Sequence, residues 1–119
     1  RADVAARASI AALAGAQPAG SLDAVLINAG IYDARSVDAA ADEDIAAIIL
    51  ANAAGPVRSA RALLPALRDC GTLAFTTSLM GSIADSSGGA ELYRMSKAAQ
   101  NILARGLFGD PLAVRVGTG

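Results

Sequence analysis

The chain has 119 residues, 54% of them hydrophobic, and a formal net charge of −1: enough for one compact domain, short for two, and without the composition of a disordered tail or a basic surface for nucleic acid. It contains no histidine, which excludes Ser-His-Asp and Cys-His catalysis and the usual zinc sites. Its single cysteine, Cys70, excludes an internal disulfide and fits a reduced compartment; it reads as a small turn or core residue.

The opening stretch "RADVAARASIAALAGA" is alanine-rich with two arginines, as transit peptides are, but it carries an acidic residue and has no apolar h-region of the kind a secretion signal needs. A cytoplasmic domain is the default expectation, and no apolar run approaches the roughly 20 residues of a membrane span. "SIAALAGA" (9–16) reads as the end of a helix closed by the loop "QPAGS". "LDAVLINAG" (22–30) is an apolar run ending in glycine, the pattern of a buried parallel strand. Residues 42–69 are helical in period, with Asp and Glu in the first turn and a proline at 56. "GTLAFTTS" (71–78) is a second buried strand, and the polar loop "GSIADSSGGAE" leads to a helix over 92–106. "LAVRV" (112–116) is a third strand candidate. Strand, helix, strand, helix, strand predicts a parallel α/β sheet with helices on its faces.

Ligands on such sheets bind at the carboxyl ends of the strands. Those ends are "NAG" (28–30) and "TTS" (76–78), and "YRMSK" (93–97) opens the helix after the second of them. Tyr93 and Lys97 are four apart, hence on one helix face. An ammonium there favours phenolate over phenol, although an ordinary helix-surface pair has the same spacing. Ser78 ends a strand in the same unit, where its hydroxyl either holds a substrate oxygen or merely terminates the strand. Pro56 lacks the N–H that would bond the Asn52 carbonyl, so that carbonyl is expected to be free, with a helix kink costing roughly 3 kcal/mol. Such a carbonyl can hold a water within reach of the lysine, or the kink simply fits helix to sheet. Gly30 lets the backbone approach a ligand, and Asn28 can brace the neighbouring strand.

"NAG", "NAAGP", "TTSLMG" and "YRMSK", in this order, resemble the short-chain dehydrogenase/reductase family. The resemblance implies a Rossmann-like, doubly wound parallel sheet in three αβα layers. It also implies NAD or NADP as cofactor and hydride transfer between the nicotinamide and a small carbonyl or secondary alcohol. By the same resemblance Tyr93 is the general acid/base, and Lys97 lowers its pKa and contacts the nicotinamide ribose. Taking a free tyrosine from near 10 toward 7 needs about 4 kcal/mol, to which a cationic nicotinamide would add. Ser78, with Ser82 as fallback, steadies the substrate oxygen, and Asn52 supplies the water-holding carbonyl. Asn28, Ala29 and Gly30 lie beside the adenosine ribose, and Asp3 and Val4 match the segment that holds the adenine. The loop "SIADSSGG" with "YRMSKAAQN" is closer to carbonyl reductases resembling the bacterial C-factor.

The family's glycine-rich TGxxxGxG turn has no counterpart in these residues. The chain is therefore expected to be the central and catalytic part of one Rossmann-type domain, truncated at both ends. Its strand at 24–28 is then an exposed edge through which copies associate. The implied partners are a small-molecule substrate and a second copy of the chain, with neither nucleic acid nor membrane. A non-catalytic α/β module that binds no dinucleotide is the alternative.

Overall fold

The computed structural model describes residues 2–107 and the backbone of residues 113–118. In chain order these form α1 (Arg7–Gly15), β1 (Leu22–Ile27), α2 (Asp42–Ile49), a π-helical turn (Leu50–Ala54) and α3 (Gly55–Leu63). A 3₁₀ turn (Leu64–Ala66), β2 (Leu67–Thr77), a second 3₁₀ turn (Leu79–Gly81), α4 (Glu91–Gly106) and β3 (Ala113–Thr118) follow. Among the described residues there is one sheet of order β1-β2-β3, parallel throughout, so the α/β expectation holds. Leu112, expected to begin the third strand, lies outside the described residues.

The core forms where α3 and α4 cover one face of the sheet. Val25 and Ile27 of β1 and Leu73 and Phe75 of β2 meet Val57, Ala60 and Leu63 of α3 and Ala104 of α4. Phe75 and Leu73 are each 1% exposed, and burial of such a side chain is worth about 1.5–3 kcal/mol. In β1 Val25 and Ile27 are buried, while Ala24 between Asp23 and Val25 is exposed and Leu26 is 64% exposed. Among the described residues the apolar run is therefore covered on one face, not on both as its composition suggested.

The long helical period of 42–69 resolves into several pieces. Asp42, Glu43 and Asp44 begin α2, where negative charge complements the helix dipole. At 50–54 the helix widens, and the Gly55 N–H bonds the Leu50 carbonyl five residues back. This π turn places Pro56 at the start of α3, where its missing N–H removes least. Pro65 closes the helix into a 3₁₀ turn, and β2 begins at Leu67, so residues 67–69 belong to the strand and not to the helix. Between Leu67, paired with Leu22, and Thr72, paired with Ala24, β2 bulges. Cys70 sits in that bulge with φ +60 and is exposed, a turn residue and not a core one. No described helix is long and apolar enough to cross a membrane.

Candidate active site

Because β1 and β2 run parallel, Asn28–Gly30 and Thr76–Ser78 emerge at the same end of the sheet. The Thr76 hydroxyl donates to Asn28 Oδ1 at 2.7 Å, so Asn28 does brace the neighbouring strand. Helix α4 starts beside these ends, and its N-terminal turn has an unusual cap. Ala90 is left-handed and offers no side-chain cap. Instead the loop after β1 supplies the acceptors: Leu92 N–H donates to Arg35 O and Tyr93 N–H to Asp33 O, each at 3.2 Å. Glu91 returns the contact, its Oε2 accepting from Val37 N–H at 2.7 Å. The orphan N–H groups of a helix terminus are thus used to lock a loop against the catalytic candidate. Within that loop Arg35 bridges Asp33 and Asp44, and its hydrogen bonds hold the Asp33 carboxyl below its usual pKa.

Asn52 fastens the loop from the other side. Its side chain is fully buried; Oδ1 accepts from Ile31 N–H and Nδ2 donates to Ile31 O, both at 2.7 Å, and Nδ2 also reaches Ser96 Oγ at 2.9 Å. The sequence argument concerned only the Asn52 main-chain carbonyl; this clamp between the loop and α4 was missed. A polar residue inside an otherwise apolar helical run was the signal available for it.

Between these supports lies a cleft lined by Asn28, Gly30, Ile31, Tyr32, Thr76, Thr77, Tyr93 and Lys97. The Lys97 ammonium lies 5.7 Å from the centre of the Tyr93 ring. Lys97 is 4% exposed, and this desolvation pushes its pKa down. Nζ donates to Gln100 Oε1 at 3.1 Å and approaches Thr76 O at 3.5 Å. The Tyr32 ring, absent from the sequence expectations, packs 4.9 Å from that of Tyr93 at 54°. Gly30 stands at the cleft wall, where an added Cβ would come 3.3 Å from Asn52 Oδ1 and 3.5 Å from Lys97 Nζ.

A second, larger cavity of about 560 Å³ is lined by Asp3, Val4, Ala29 and Gly30 together with Ser9 and Ile31. It unites four of the residues expected to hold the adenosine end of a cofactor. Asp3 is held there in a turn, its carboxylate accepting from Ala5 N–H and its own N–H donating to Ser9 Oγ. Ser78 is buried beside the cleft of Tyr93 and Lys97 but not in its lining, and its Oγ accepts from Met80 N–H at 3.1 Å. Ser82 is further removed: it bonds Asp85 and lines a separate cavity with Arg94 and Met95. No cluster of potential metal ligands occurs among the described residues.

The model of the short chain dehydrogenase family matches residues 1–116. The chain belongs to the short-chain dehydrogenase/reductase family. This dehydrogenase-family chain is 42% identical to C-signal of Myxococcus xanthus over 96 residues, 76% of this chain and 57% of that protein. It is 36% identical to 1-hydroxy-2-glutathionyl-2-methyl-3-butene dehydrogenase of Rhodococcus sp. (strain AD45) over 104 residues, 85% of this chain and 46% of the other. Among solved structures, a carbonyl reductase from Pseudomonas aeruginosa PAO1 in complex with NADP superposes with a TM-score of 0.86 at 31% identity. That match covers 97% of this chain and 53% of the reductase. The chain thus spans about half the length of the relatives it matches.

Proposed function

We propose that these residues form the central, catalytic part of an NAD(P)-dependent oxidoreductase. It transfers hydride between the nicotinamide and a small carbonyl compound or secondary alcohol, with Tyr93 as general acid/base. The observation that carries this reading is the shared cleft of Tyr93 and Lys97 at the carboxyl ends of two parallel strands, with the ammonium buried and bonded to neutral acceptors.

The residues fit a dinucleotide. The large cavity beside Asp3 and the cleft beside Tyr93 have Gly30 and Ile31 in common, so an elongated ligand can pass from one to the other over a residue that has no side chain. Asp3, Val4 and Ala29 would hold the adenosine end, and Lys97 the nicotinamide ribose. The bound nicotinamide would supply the hydride. Tyr93 donates its proton to the substrate oxygen during carbonyl reduction, and the Lys97 ammonium stabilises the negative charge left on the phenol oxygen. Ser78 keeps a hydroxyl proton to donate to that same oxygen, since its Oγ serves Met80 N–H as acceptor. Asn52 contributes the main-chain carbonyl of a water-mediated proton path, four residues before the proline that lacks the matching N–H. The NADP-bound carbonyl reductase supports NADP with a carbonyl substrate as the first pair to try. A module that binds no dinucleotide is disfavoured, because the two adjoining cavities bring together residues expected at the adenosine and nicotinamide ends of such a ligand.

Calorimetric titration with NADPH and then NADH tests the binding half of this reading, and carbonyl reduction by wild type and Tyr93→Phe tests the chemistry. Saturable binding, with turnover lost and binding kept in Tyr93→Phe, is expected. A folded chain that binds neither nucleotide, or a Phe variant that still turns over, would refute it.

A further inference from the structure

Helix α4 buries three polar side chains on its inner face: Ser96, Lys97 and Gln100. Ser96 is engaged by the Asn52 clamp. Gln100 has no part in the chemistry derived above, yet it is 1% exposed and hydrogen-bonded through both its amide oxygen and its amide nitrogen. We propose that Gln100 is a positioning residue: its amide oxygen holds the Lys97 ammonium in the cleft while leaving that positive charge unneutralised.

The geometry dictates the orientation of the amide. Thr76 O can only accept, so Nε2 faces it at 3.3 Å, and Oε1 must then turn to the remaining neighbour, Lys97 Nζ, at 3.1 Å. A buried ammonium without an acceptor is strongly disfavoured. A carboxylate at position 100 would satisfy it better but would cancel the field that Tyr93 requires. A neutral carbonyl, anchored by the strand that forms the cleft floor, supports the ammonium without that cancellation. The groups facing Nζ agree with this. Its own helix contributes Tyr93 and Gln100, β2 contributes Thr76 and Thr77, the loop after β1 contributes Tyr32 and Gly30, and the π turn contributes Asn52. None of these is a carboxylate or a second cation, and burial lowers the Lys97 pKa.

The inference rests on Lys97 being the cation that serves Tyr93, but its test needs neither cofactor nor substrate. Lys97 is the only lysine in the chain, so [13Cε]lysine labelling yields one side-chain signal whose titration reports this ammonium directly. Replacing the acceptor in Gln100→Leu is expected to move the midpoint down by about half a unit or more, and Gln100→Glu to move it up by at least as much. Displacements of opposite sign are not produced by loosened packing. Midpoints equal to wild type in both variants overturn the proposal. Should the Leu variant not fold, the near-isosteric Glu variant decides alone, and a midpoint that fails to rise overturns it. Absence of nucleotide binding would sink the proposed activity and leave this result untouched.

Discussion

At the scale of single residues, the site is built from side chains whose burial works against stability. Lys97 is the clearest case. Its ammonium is desolvated in the folded chain, so its folded pKa lies below the 10.5 it has when exposed. Between those two values the unfolded state binds more protons, and stability rises with pH. The cost is fully present below the folded pKa and gone above about 10.5. The stability difference between Lys97→Met and wild type is therefore expected to be most favourable to the variant near neutral pH and to shrink as pH rises toward 10. Urea unfolding of both at several pH values measures it, and a pH-independent difference would contradict it. Asn52 is the compensating case, since three good hydrogen bonds satisfy a fully buried amide.

At the scale of elements, the junction of the π turn and α3 sets the position of everything else. Gly55 lies where an added Cβ would come within 2.3 Å of Val4 O and 2.5 Å of Leu50 O. Only glycine allows the segment that carries Asp3 and Val4 to lie against this helix and close the larger cavity. Gly55→Ala is expected to destabilise by about 1–3 kcal/mol or more, as overpacking does. It should also weaken nucleotide binding while leaving the Lys97 titration in place. Thermal unfolding with calorimetry checks this, and a neutral variant would show that the Val4 backbone shifts freely. The α4 cap works by the same logic: the Asp33 and Arg35 carbonyls replace a capping side chain, so the loop and the helix that carries Tyr93 and Lys97 are ordered together.

At the scale of the molecule, β1 is the open feature. Among the described residues it pairs on one side only, with β2, and it presents Leu26 at 64% exposure. An apolar cavity of about 280 Å³ flanks it, lined among others by Val4, Ile10, Leu13, Val25 and Leu63. Unpaired backbone beside apolar surface is a template for pairing between copies. Self-association through this edge is expected, and Leu26→Lys should reduce it without unfolding the chain. Light scattering across a concentration series would measure it, and a wild-type chain monomeric throughout would rule the idea out.

Much of this was legible in the order of residues. Short apolar runs ending in "NAG" and "TTS", with helical periods between them, determined a parallel α/β sheet, because strand and helix periods are local properties of side-chain spacing. The spacing of Tyr93 and Lys97 determined that they share a helix face, and the proline at 56 determined a disturbance in its helix. Tertiary structure decided the rest. Whether β1 is covered on one face or two depends on what packs against it, which no periodicity records. The start of β2 at Leu67 depended on pairing with Leu22 across 45 residues. Gln100, Tyr32 and the Asn52 clamp have no spacing signature, since each acts on a partner brought near by the fold. The sequence carried the chemistry of the individual groups; the distances that turn an ordinary helix pair into a buried cation beside a phenol exist only once β1, β2 and α4 meet.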